Sequence, residues 1–152
     1  MKTELRYGII GAGSMGREHI ENIKVMGGAA VTALSDPHVP SQEAALAMAP
    51  GAKVFSDHRA LLDSGLVDAV VIATPNDTHA AVLKDALATD LAVFVEKPLA
   101  TTVEDLKSIL SWDDKRSAMT WMGLEYRFMP PVAEAIARAQ EGDAGKIHQV
   151  SI

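Results

Sequence analysis

Three loops of this chain gather residue types that could do chemistry. The stretch GIIGAGSMGREHI places glycines at 11, 13 and 16. In that spacing Gly11 permits a tight turn, Gly13 lets bare backbone approach a phosphate, and Gly16 lets the next helix lie close to the preceding strand. Ser14 and Met15 stand in the first helical turn, where free N–H groups and the helix dipole favour an anion. Asp36 follows Gly16 by 20 residues, the distance at which such a loop needs a carboxylate to accept from both hydroxyls of an adenosine ribose. The same carboxylate repels a 2′-phosphate, and its neighbours Pro37 and His38 supply no guanidinium to hold one. These residues predict a dinucleotide site that takes NAD, with NADP disfavoured. The plainer readings are a glycine-rich turn without ligand and an Asp-Pro pair that merely starts a turn; the turn and ribose roles of Asp36 are compatible.

The second loop is ATPNDTHAAV. If a strand ends before it, Ala73, Thr74, Pro75 and Asn76 line the same cleft, because ligands of an open parallel sheet lie outside the carboxyl ends of its strands. Thr78 reads as a helix N-cap, with His79 in the first turn. On spacing alone, His79 is a half-exposed residue with a local hydrogen bond rather than a cleft residue.

The third loop closes LAVFVEKPLATT, where Leu91 to Val95 run straight into Glu96, Lys97 and Pro98. At the mouth of a core the Lys97 ammonium could hold a hydroxyl or carbonyl oxygen while hydride moves. Glu96 would hold Lys97 in place or tune its basicity, and Pro98 stops the strand. From position alone, a solvent-facing salt bridge is an equal alternative.

Elements that position these loops alternate along the chain. Strand-like runs at 5–10, 29–35, 52–56, 68–74, 91–96 and 117–123 alternate with helical runs at 14–26, 41–49, 57–65 and 79–89 and one reaching Leu110. Ile20 and Ile23 face inward on the first helix, and Val82, Leu83, Ala86 and Leu87 form a stripe on the fourth. Thr101 with Glu104 reads as a capping box for the fifth. The runs at 69–73 and 91–95 are continuously apolar, the mark of strands covered on both faces. Strands alternating with helices imply right-handed βαβ units, hence an α/β fold with a doubly wound parallel sheet of the NAD(P)-binding Rossmann type. Pro130 and Pro131 lead into a helix with Val132 and Ile136 inward, and KIHQVSI, 146–152, reads as a strand with an unpaired edge.

Composition narrows the partners. With 48% hydrophobic and 22% charged residues, the 152-residue chain reads as globular. Fourteen basic against 20 acidic side chains leave a net charge of −6 and no basic run, which disfavours nucleic acid and anionic membrane. There is no cysteine, and the five histidines, at 19, 38, 58, 79 and 148, lack ligand-like spacing, so neither disulfides nor a metal are expected. No run resembles a leader or a membrane span, making the cytoplasm the expected location.

Together GIIGAGSMGREH, ATPNDTH and VEKPLATT resemble the glucose–fructose oxidoreductase, inositol dehydrogenase and rhizopine-catabolism family. The resemblance extends over the chain through GLEYRFMPP and GDAGKIHQVSI. It implies NAD(P)-dependent oxidation or reduction of sugars, cyclitols and related polyols. It also implies that Lys97 is the catalytic lysine, that His79 belongs to the cleft, and that Arg127 lies near cofactor or substrate. The family's members are much longer, with a second α+β domain that closes the active site and supplies an Asp and a His. On that basis residues 1–123 form the dinucleotide-binding domain, and residues 124–152 form a connecting helix and the first strand of a truncated substrate domain. The resemblance implies that such a chain binds NAD without turning over. Nothing around His148 matches the missing Asp and His. Two other functions stand beside the oxidoreductase: a non-catalytic NAD-binding module or sensor, and an NAD-dependent glycosidase. The open edge at 146–152 would also permit a homo-oligomer.

Overall fold

The computed structural model describes residues 4–143 and 145–149. Six strands form one parallel sheet: β1 (Leu5–Ile10), β2 (Ala29–Ser35), β3 (Lys53–Phe55), β4 (Ala69–Ile72), β5 (Ala92–Glu96) and β6 (Thr120–Gly123). Their order is β3-β2-β1-β4-β5-β6, with every neighbouring pair parallel. The order reverses between β1 and β4, where a doubly wound sheet opens its ligand crevice. Helices α1 (Ser14–Met26), α2 (Val39–Met48), α3 (His58–Leu62), α4 (His79–Ala86) and α5 (Val103–Asp113) make the crossovers, and α6 (Pro130–Glu141) follows β6. This is the Rossmann fold that the alternation of runs predicted.

Side chains alternate across the sheet and so build two cores. Ile10, Val70, Ile72, Val93 and Val95 pack with Leu61, Val82, Leu83 and Ile109. Ile9, Leu34 and Val71 meet Ile20 and Ile23 of α1 and Ala45 of α2. All of β4 is buried. Each buried aliphatic side chain contributes about 1.5–3 kcal/mol of transfer free energy. Gly8 on β1 makes room for the first core, since a Cβ there would stand 2.7 Å from Leu61 Cδ2.

Several boundaries differ from the sequence reading. The capping residue of α5 is Thr102, not Thr101: Thr102 has extended backbone, and its Oγ1 accepts from the Asp105 N–H at 3.1 Å. Adjacent threonines followed by adjacent acids offer two boxes one residue apart, and only the backbone chooses between them. Thr78 makes no cap bond either. Its hydroxyl lies 2.7 Å from the Pro75 carbonyl and 2.8 Å from Thr74 Oγ1, within a 3₁₀ turn over Asn76–Thr78. Helix α6 has no buried residue among those described, and Ile136 is 44% exposed rather than inward. Val132 is half-buried. Among the described residues α6 packs mainly on the 3₁₀ turn just before it, so its apolar face lacks the cover its pattern anticipates. Residues 145–149 hold no strand, and 150–152 of the expected strand lie outside the described residues.

At the amino ends of the strands, Asp68 receives a fork from Arg6: Nη2 reaches Oδ1 at 2.7 Å and Nε reaches Oδ2 at 3.1 Å. Together with the Arg6 backbone N–H, this guanidinium lowers the Asp68 carboxyl to about 2. The folded carboxyl is thus the stronger acid, and its stabilising contribution is complete above the ordinary carboxylate range. That contribution should fade as pH falls from about 4 toward 2. Both partners are substantially exposed, so the effect is small. Thermal unfolding followed against pH should show a shallower acid decline in Asp68→Asn than in the wild type; identical slopes would remove this pair from the acid response.

Candidate dinucleotide cleft

The crevice at the carboxyl ends of β1, β2 and β4 holds a cavity of about 800 Å³. Gly11, Gly13, Ser14, Met15, Asp36, Ala73, Thr74 and Pro75 all line it, as do Pro37 and His38. Its far wall, not foreseen from the sequence, comes from Ser56, Asp57 and His58 after β3.

The three glycines have three separate reasons. Gly11 adopts φ +93°, and a Cβ there would stand 2.5 Å from the Ala73 carbonyl oxygen. Its N–H donates to the Ser35 carbonyl at 2.8 Å, which holds the turn against β2. Gly16 lies where α1 crosses β1, and a Cβ would run into the Gly11 carbonyl. Gly13 is different. Its φ of −65° suits any residue, and a Cβ on it would meet nothing within 4 Å. Folding alone therefore imposes no glycine at 13.

Gly13 is also the N-cap of α1, and no side chain caps that helix. The helix opens without an acidic residue in its first turn, leaving N–H groups of Ser14, Met15 and Gly16 at its positive end.

Asp36 is held at both oxygens. Oδ2 accepts from the Ala12 N–H at 2.7 Å and Oδ1 from the His38 N–H at 2.8 Å. Gln42 Nε2 donates to the Asp36 carbonyl at 2.5 Å. The carboxylate is thereby aimed before any ligand arrives, and each oxygen keeps a lone pair to offer.

Other residues expected at the site lie elsewhere. Asn76 is exposed in the 3₁₀ turn, and Gly16 sits beneath the loop; neither lines the cavity. His79 is not a cleft residue and is not half-exposed: it is fully buried, with Nδ1 2.7 Å from the Pro98 carbonyl and Nε2 2.9 Å from the Thr74 carbonyl. Its position in the first turn of α4 carries the ring under the loop rather than into it. Glu96 does not hold Lys97. It is buried, and Oε1 pairs with His19 Nε2 at 2.8 Å, because successive strand residues point to opposite faces. Lys97 is exposed at the end of β5, in none of the ion pairs among the described residues, and joined to Pro98 by a cis peptide. The solvent-facing salt bridge considered for it is not formed with Glu96. Arg127 is exposed in a 3₁₀ turn over Glu125–Phe128 and does not line the cavity. No three His, Asp or Glu among the described residues are grouped to hold a metal ion, and no described helix is long and apolar enough to cross a membrane.

Known proteins resemble this chain in sequence and fold. Residues 5–124 match the model of an oxidoreductase family with an NAD-binding Rossmann fold. An inositol 2-dehydrogenase of Leifsonia xyli is 36% identical over 146 residues, covering 95% of this chain and 43% of that protein. A crystal structure of myo-inositol dehydrogenase from Lactobacillus casei, in complex with NAD(H) and myo-inositol, is 34% identical with a TM-score of 0.85, over 91% of this chain and 42% of that one. A levoglucosan dehydrogenase in complex with NADH and levoglucosan is 27% identical with a TM-score of 0.84, over 94% and 41%. The chain thus spans less than half the length of these relatives. With its glycine loop, oriented Asp36 and strand order all in the matched region, the chain belongs to the oxidoreductase family with the NAD-binding Rossmann fold.

Proposed function

We propose that this chain binds NAD in preference to NADP and forms the cofactor-binding part of a cytoplasmic oxidoreductase that moves hydride between nicotinamide and a CH–OH group of a cyclitol, sugar or related polyol. Residues 1–123 supply the dinucleotide domain, and residues 124–152 lead toward the part that binds substrate. The observation that carries the cofactor assignment is Gly13: the fold leaves its side-chain position empty, beside uncapped helix N–H groups. A pyrophosphate needs that bare approach and that dipole. Asp36 then accepts from the adenosine ribose, while Ala73, Thr74 and Pro75 form the opposite wall. Lys97, exposed and without an ion-pair partner among the described residues, is the group available to a substrate oxygen at the nicotinamide end. This availability favours an oxidoreductase over a non-catalytic NAD module. The polyol class is supported by the relatives named for inositol and levoglucosan.

When bound, NAD supplies the hydride acceptor at its nicotinamide ring. This chain's own residues place it: the glycine loop seats the phosphates, Asp36 orients the adenosine end, and Lys97 holds the substrate oxygen. Calorimetric titration of both cofactors tests the selectivity. NAD should bind more tightly than NADP by about tenfold or more, equivalent to about 1.4 kcal/mol. Asp36→Ala should narrow that gap by weakening NAD and relieving the repulsion of the 2′-phosphate. Equal affinities in the wild type would refute the role given to Asp36.

A further inference from the structure

Lys97 is flanked by two residues that each contact a histidine from a different helix, His19 half-buried and His79 fully buried. On its amino side, Glu96 is 7% exposed and pairs with His19 of α1 at 2.8 Å. The His19 ring also meets Phe94 of β5 edge-on, with centroids 5.0 Å apart. Gly123 of β6 leaves the space for this cluster, because a Cβ there would stand 2.9 Å from Phe94 Cζ and 3.3 Å from Glu96 Oε1. On the carboxyl side, the Pro98 carbonyl lies 2.7 Å from His79 Nδ1, and the other nitrogen of that ring lies 2.9 Å from the Thr74 carbonyl in the cleft wall. The ring is 0% exposed.

We infer that His19 and His79 are positioning residues that together set where Lys97 stands relative to the cofactor. Neither ring lines the cleft cavity near the expected nicotinamide end, so neither needs to touch the reaction. Each lies between the Lys97 segment and an element that handles the dinucleotide: His19 belongs to the helix whose N-terminus receives the pyrophosphate, and the His79 ring, whose neutral form has one N–H for the two carbonyls, spans from Pro98 to the loop that walls the cleft. Ser14 at the start of α1 and Thr74 after β4 both line the cavity, so the ties connect the lysine to both walls. A long side chain with no ion-pair partner of its own takes its direction from its backbone, and here the backbone is pinned on both sides. Displacements as small as about 1 Å at such a group lower rates by about 100-fold. The inference rests on the placement of Lys97 at the nicotinamide end proposed above.

Trace acetylation of the 152-residue chain with a water-soluble acetylating ester, read by mass spectrometry, gives the test. Lys107 and Lys115 serve as internal references, since neither lines the cleft. At NAD concentrations twenty times the dissociation constant, a lysine covered by the cofactor is protected by about 20-fold through mass action. Wild-type Lys97 should approach that protection. In His19→Leu and His79→Leu, with NAD re-titrated for each variant so that saturation is equal, protection of Lys97 should fall to about twofold or less, the value reached when bound NAD leaves Lys97 about half as reactive as in the free protein. His19→Gln and His79→Gln, whose amide N–H can replace the ring donor, should recover most of it. A role confined to folding would lower the melting temperature yet leave protection unchanged at saturation. If a Leu variant does not fold by circular dichroism, the Asn variant at that position takes its place, its amide being too short to reach the same acceptor.

Full protection of Lys97 in both Leu variants, or no recovery in the Gln variants, overturns the inference. NAD binding without protection of Lys97 in the wild type overturns the placement of Lys97 on which it rests. Absence of NAD binding overturns the proposed function itself. In that event the acetylation rates of Lys97 without cofactor still judge the ties, and equal rates in wild type and Leu variants would overturn them.

Discussion

Gly13→Val should abolish NAD binding while the protein still folds. The two halves of that expectation have separate physical causes. Backbone at 13 has φ −65° and ψ −163°, at the edge of the extended region and away from positive φ, and a Cβ there meets no atom within 4 Å. Circular dichroism and the unfolding midpoint should therefore remain close to wild type. The added branch would occupy the space where a pyrophosphate must approach the N–H groups of α1. A phosphate kept from a helix N-terminus loses charge-assisted hydrogen bonds worth about 1.5–3 kcal/mol each, so losing two lowers affinity by about 100-fold or more. Gly16 provides the contrast. A Cβ at 16 collides with the Gly11 carbonyl, so its replacement damages the fold together with the binding. Retained calorimetric affinity in a folded Gly13→Val protein would detach the glycine loop from the cofactor.

Lys97→Met should separate turnover from cofactor binding. When a carbinol is oxidised, its C–H hydride passes to the nicotinamide and its O–H proton passes to a base, as the carbon–oxygen double bond forms. The oxygen must be held while both bonds change. Lys97 can do the holding and relay the proton to a neighbour. Methionine keeps much of the volume and removes every N–H donor. Lys97 does not line the cavity that holds the glycine loop and Asp36, so NAD affinity should remain nearly unchanged. In a chain of the relatives' length assayed with myo-inositol by NADH absorbance, turnover should fall by roughly 100-fold or more, the scale of a lost acid–base group. The 152-residue chain by itself should bind NAD and produce no NADH, because a closed site needs both halves of the cleft. NADH formation by the short chain, or a Lys97→Met enzyme as fast as its parent, would return Lys97 to the role of a surface charge.

The amino-acid sequence by itself determined the fold class and much of the lining of the candidate cleft. Continuous apolar runs at β4 and β5 can be buried only between two layers of helices, and the alternation of strands and helices leaves a parallel sheet as the outcome. Gly11, Gly13, Asp36, Ala73, Thr74 and Pro75 were legible as lining residues for a related reason: each is local, at a strand end, where spacing along the chain equals position in space. What failed was long-range or degenerate. Spacing cannot show that His79 turns under its own loop to reach Pro98, or that Glu96 faces α1 instead of its neighbour Lys97; the partners lie 19 and 77 residues away. Nor can it choose between Thr101 and Thr102, since both present an acid three residues on. The roles of Gly8 and Gly123 appear only when Leu61 and Phe94 are packed against them. The apolar stripe of α6 is a pattern that names no partner, and among the described residues mainly the preceding 3₁₀ turn packs against the helix, leaving Ile136 exposed. Tertiary structure decided these points because each depends on which atoms meet across the sheet, and that is settled by close packing and by the pairing of buried polar groups rather than by local sequence.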